Sequence, residues 1–113
     1  MAFADPVTGQ SVIPAYAFAN ATASGNTQVV ASQGAGVKVR VLSVFVVTDT
    51  AVTIKFQSAS TDISSGKPCA TNGGFIQPVN SIGWFETVAN QALNINLSGT
   101  ANVGVDVVWI PVG

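Results

Sequence analysis

Residues 37–58, VKVRVLSVFVVTDTAVTIKFQS, decide the fold of this chain. Val37, Val39, Val41, Phe45 and Val47 share one parity, a largely apolar face. The other parity opens with Lys38 and Arg40 and turns apolar at Leu42, Val44 and Val46. Side chains alternate across a strand, so the first half reads as a strand with its Val37-to-Val47 parity on the core. Beyond Thr48-Asp49-Thr50, Val52, Ile54 and Phe56 alternate with Thr53, Lys55 and Gln57, the pattern of a sheet with one buried and one wet face. The two halves read as adjacent strands joined by a tight reversal, in which the Asp49 side chain bonds the local backbone.

The same alternation recurs downstream. Leu93, Ile95 and Leu97 point one way and Asn94, Asn96 and Ser98 the other, while Val103, Val105, Val107 and Trp109 share a face of the last strand. Thr27 to Ser32, Phe75 to Val79 and Gly83 to Val88 are shorter strand candidates, and Pro78 confines the second of these to a sheet edge. Ser58 to Gly74 is a long polar loop with a brief strand turn at Ile63, of the length that tends to serve contacts. Met1 to Gly25 carries Pro6, Pro14 and many turn formers, which reads as an extended arm with Tyr16 and Phe18 as its anchors. The expected fold is therefore all-β: a single-domain antiparallel β-sandwich, jelly-roll-like, of about 7–8 strands over residues 26–113, with an N-terminal arm over residues 1–25.

Length and composition bound the rest. At 113 residues the chain is about one domain and can bury a core without staples. No stretch approaches the ~20 apolar residues of a membrane span, and the first thirty residues do not look like a signal peptide. Expression in the cytoplasm with no membrane partner is the expectation. Cys69 is the only cysteine and has no partner for a disulfide or a multi-cysteine metal site.

Charge is the most informative quantity. Only 8% of residues are charged against 48% hydrophobic, and the mean hydropathy is +0.47. Soluble domains usually carry about 25% charged residues, and charge is what keeps monomers apart. Much of this surface is thus expected to be covered by other protein, in a homo-oligomer or larger assembly. Lys38, Arg40, Lys55 and Lys67 are too few to neutralise a nucleic-acid backbone, so no nucleic-acid partner is expected.

Catalytic chemistry finds little to work with. There is no histidine, hence no serine triad of the usual kind and no imidazole metal ligand. Glu86 and Asp106 are the only strand carboxylates available for a glycosidase-like pair. Asp62 among Ser60, Thr61, Ser64 and Ser65 is too poor in carboxylates for calcium, and Gly34-Ala35-Gly36 precedes a strand instead of the helix an anion site needs. The reading is a non-enzyme with no catalytic residue, no cofactor and no metal.

VKVRVLSVFVV, AVTIKFQSASTDIS, NGGFIQP, GWFETVANQALNINLSG and VGVDVVWIPV together resemble a group of small virion structural proteins of tailed bacteriophages and prophages, across about residues 27–112. The likeness is strongest at Gly83 to Thr87 and Leu93 to Leu97, and Asn90-Gln91 stands where similar sequences have a Gly-Glu-like turn. What the resemblance implies is a capsid decoration or cement protein on the outer surface of the virion. Such a protein sits as a homotrimer on the shell of the major capsid protein and stabilises the head. A head-fibre or tail component that binds a receptor or carbohydrate through Trp84, Tyr16 or Trp109 is the alternative. Candidate assembly contacts are Tyr16 and Phe18 in the arm, Leu42 and Val44 on the half-apolar parity, Ile63 in the long loop, and Trp84.

Overall fold

The computed structural model describes residues 3–6, 9 and 11–113, and these form an all-β sandwich of two antiparallel sheets without a helix. A small hairpin, β1 (Phe3–Ala4) with β2 (Ser11–Val12), precedes it. The front sheet contains β3 (Ala15–Ala21), β5 (Lys38–Thr48), β9 (Gly74–Gln77), β10 (Phe85–Glu86) and β12 (Val103–Val112). The back sheet contains β4 (Gly25–Val30), β6 (Val52–Ser58), β7 (Thr61–Asp62), β8 (Lys67–Cys69) and β11 (Leu93–Leu97). In the front sheet β12 lies between β3 and β5, and β9 and β10 share the far edge of β5; in the back sheet β11 lies between β4 and β6.

Successive long strands alternate between the sheets, which corrects the reading of residues 37–58 as adjacent strands joined by a tight reversal. β5 and β6 face each other across the core, and the turn between them is an arch. Asp49 holds it there: its carboxylate accepts the Asn102 backbone N–H at 2.9 Å and the Asn102 side-chain amide at 2.8 Å, and its own N–H donates to Asn102 C=O at 3.1 Å. Asn102 lies in the β11–β12 connection, which makes the same crossing, so the two arches brace each other. These donors stabilise the carboxylate and hold its pKa below the usual aspartate range, the Asn102 backbone N–H contributing most.

The core is made where alternation from both sheets meets. Val39, Val41, Val44, Val46, Val103, Val105 and Val107 come from the front, and Val52, Ile54, Phe56, Leu93, Ile95 and Leu97 from the back. Phe56 stacks on Phe85 across the interior with ring centroids 5.0 Å apart. Each such side chain contributes about 1.5–3 kcal/mol by leaving water.

Val39 and Val41 differ in parity from Val44 and Val46, yet all four are in the core. The reason is a bulge in β5: Val41 pairs with Trp109 and Ser43 with Val108, so Leu42 has no partner on β12. One extra residue reverses the facing of every side chain beyond it. Phe45 and Val47, expected inside, are consequently 46% exposed on the outer face. The backbone freed by the bulge is satisfied by residues 78–84, the loop between β9 and β10. Leu42 C=O accepts Asn80 N–H at 2.9 Å, and Val41 C=O accepts Trp84 N–H at 2.8 Å.

The expected arm is incorporated into the domain. Ala15–Ala21 is a strand bonded along its length to β12, with Ala15, Ala17, Ala19 and Ala21 turned inward and Tyr16, Phe18 and Asn20 outward. Ahead of it, Asp5 reaches Arg40, whose guanidinium donates to the Asp5 carboxylate at 2.7 Å; the two side chains are 2% and 4% exposed. Glu86 adds a longer contact of 3.8 Å to the same guanidinium. Arg40 lies on the outer side of the front sheet together with Ile110, its partner on β12, and Leu42, and all three are buried. Gly83 closes over them with φ of +100°, where a Cβ would meet Arg40 Cγ at 2.5 Å. The end of the front sheet before the bulge is thus covered on both faces.

Ser58 to Gly74 is more ordered than a plain loop, because β7 and β8 both pair with β6. Asn90, in the expected Asn90-Gln91 turn, has φ of +62°, the left-handed conformation asparagine tolerates best after glycine.

Candidate assembly surface

The two outer faces of the sandwich differ in chemistry. The back sheet presents Asn26, Gln28, Thr53, Lys55, Asn94 and Asn96, knit by side-chain bonds. Asn96 Nδ2 donates to Asn26 Oδ1 at 2.7 Å, Asn94 Nδ2 to Ala59 C=O at 2.7 Å, and Lys55 Nζ meets Asp62 at 3.1 Å. Gln57 Nε2 also donates to Asp62, at 2.6 Å, and this bond and the Lys55 ammonium hold the Asp62 pKa below the ordinary value. Such a face is hydrated and self-satisfied.

Beyond the bulge, the front sheet presents aromatic and aliphatic groups. Register places Ile76 of β9, Phe45 of β5, Asp106 of β12 and Phe18 of β3 in one row across the four strands; Val47 and Gly104 lie in the next, and Val108 with Tyr16 on the other side. Ile76, Tyr16 and Phe18 are 68%, 64% and 62% exposed. With Phe45 and Val47 they amount to roughly 600 Å² of mostly apolar surface, at the top of what monomers leave open. Tyr16 and Phe18 stack with centroids 6.0 Å apart.

Asp106 is the one charge in this region, and the Tyr16 hydroxyl donates to its carboxylate. That bond, followed by desolvation and the nearby negative charge, raises the Tyr16 pKa above its ordinary 10.0. Between Phe45 and Ile76 runs an open groove of about 410 Å³, with Asn72, Gly73 and Gly74 in its wall. Gly74 makes the groove possible: a Cβ there would sit 1.9 Å from the Val46 carbonyl oxygen, so only glycine lets β9 lie this close to β5.

The structure brings Tyr16 and Phe18 together on this face and places Trp84, 41% exposed, in the loop beside the bulge, where its indole N–H donates to Pro78 C=O at 2.7 Å. Leu42 and Val44, each 2% exposed, are buried within their own chain, Leu42 under the cover of the outer side and Val44 in the core. Ile63 packs against the core from the back sheet side. Trp109 likewise packs against the core, partly buried. Phe45, Val47 and Ile76 are the residues sequence reasoning missed. The available signal was the change of one parity from Lys38 and Arg40 to Leu42, Val44 and Val46, which marks a break in register as readily as a change of environment.

Glu86 and Asp106 do not form a pair. They stand opposite Arg40 and Phe45 of the neighbouring β5, roughly 15 Å apart along the strand direction, beyond the ~5–9.5 Å that glycoside hydrolysis requires. Burial raises the pKa of the Cys69 thiol and so lowers its thiolate fraction. Compared with protein-family models, with curated proteins and with solved structures, the chain has no significant match.

Proposed function

We propose that the chain is a virion structural protein, a capsid decoration protein that lays its aromatic sheet face on a shell of major capsid protein and stabilises the head. The observation that carries this reading is the asymmetry of the sandwich: one outer face of bonded amides and charges, the other of Phe45, Val47, Ile76, Tyr16 and Phe18 around a single carboxylate. Exposed apolar area of this size marks a protein contact, and the resemblance to small phage virion proteins supplies the kind of partner. Many copies on one shell turn modest individual contacts into firm attachment, so that internal pressure has to break several at once.

Cryo-EM reconstruction of intact particles tests the reading. Density for the sandwich on the outer shell, with β5 and β9 against capsid subunits, is the expected result; density confined to the tail sinks it. Phe45→Lys and Ile76→Lys should each reduce co-sedimentation with decorated-type shells at least tenfold while leaving the melting temperature within a few degrees. A second reading, a head-fibre or tail module that binds carbohydrate, is favoured by the Tyr16 and Phe18 rings lying beside the Asp106 carboxylate. Glycan-array binding that is lost in Phe18→Ala and kept in Ile76→Lys would select it.

A further inference from the structure

We propose that β3 is a self-pairing edge, along which two copies of the chain join antiparallel about a two-fold axis at Phe18. β3 is the last strand of the front sheet, and among the described residues no backbone bond is made on the side away from β12. Free edges of this kind are normally blunted by lysine, proline, a bulge or extreme shortness. β3 has seven residues, no charge, no proline and no register break against β12.

Its sequence, Ala15-Tyr16-Ala17-Phe18-Ala19-Asn20-Ala21, alternates alanine with larger residues symmetrically about Phe18. An antiparallel pairing centred there sets Phe18 against Phe18 of the second copy, Tyr16 against Asn20, Ala17 against Ala19 and Ala15 against Ala21. Each match is favourable or neutral: aromatic against aromatic and hydroxyl against amide on the outer side, methyl against methyl on the inner. No like charges meet, and the inward alanines keep bulk out of the seam. A foreign strand would need this same pattern, which the chain itself already carries. The result is an isologous interface in which the two front sheets become one and their aromatic faces run together. This pairing stands on the strand alone and is independent of the virion reading; it differs from the trimer implied by the family resemblance.

Sedimentation velocity of the full chain, with light scattering for absolute mass, tests the pairing. The expected mass is twice 11.5 kDa. Phe18→Lys, which sets two ammonium groups against each other at the axis, should return the mass of one chain with unchanged circular dichroism. Ile76→Lys, on the same face but three strands away, should leave the pair intact. Phe18→Cys under oxidising conditions should give a disulfide-linked pair on a non-reducing gel, whereas the native chain, its Cys69 buried, should not. A wild-type mass of one or three chains overturns the proposal. So does dissociation by Ile76→Lys, the signature of face-to-face stacking, or failure of the Phe18→Cys chains to link.

Discussion

Tyr16 is the only tyrosine in the chain, so its ionisation can be followed without interference. The Asp106 carboxylate accepts a hydrogen bond from its hydroxyl, and ionisation would place two negative groups side by side on an apolar face. Because the folded pKa is raised, the contribution of this contact is fully present below pH 10.0, the ordinary value, and is lost as pH rises through the folded value. Tyrosinate absorbance should therefore show a midpoint above 10.0 in the native chain, falling back toward it in Asp106→Ala. A native midpoint at or below that value would remove the bond from the account. Arg40 makes the opposite point about polar residues. Its place in a run of apolar neighbours reads as a wet position, yet it is buried because its counter-ion, Asp5, arrives from 35 residues away. Alternation reveals which way a side chain points and carries no information about what will later cover it.

At the scale of elements, most strands were legible. β11 and β12 obey strict alternation from Leu93 to Leu97 and from Val103 to Val107, and their apolar parities are the ones found in the core. β5 was legible as a strand and misleading as a face. Its bulge at Leu42 depends on backbone partners from residues 78–84, which no local pattern in residues 37–47 reports. The arch after β5 was hidden for a related reason, since a turn at Asp49 reads alike whether the next strand pairs or crosses; the deciding partner, Asn102, is 53 residues on. β3 was lost to its small residues, because alanine alternating with larger groups resembles a tether until β12 is there to bond it. A test at this scale concerns β9. Gly74→Ala forces a Cβ into the Val46 carbonyl, so β9 should detach from β5 at a cost of about 2 kcal/mol or more, read as a lower denaturation midpoint. Amide exchange should quicken at Phe75 and Ile76 and stay slow in β11. Equal protection of β9 in the variant would show that the edge can shift to accept the methyl group.

At the scale of the molecule, the sequence announced its economy of charge, and the fold explains where the few charges went. Asp5 and Arg40 are spent on each other inside, Lys55 and Asp62 pair on the back sheet, Lys38 lies 3.9 Å from Glu86, and Asp49 locks the arches. That leaves the front face past the bulge with one carboxylate and no cation. Electrostatic attraction can contribute little to whatever this face binds, and burial of apolar area has to contribute most. Attachment should accordingly be governed by variables other than ionic strength. Raising salt from 0.05 to 0.5 M, which shortens the Debye length from about 14 Å to about 4 Å, should hardly loosen bound copies, whereas cooling, which weakens hydrophobic contacts, should release them. A coat held in this way would be indifferent to brine and most easily stripped by the cold.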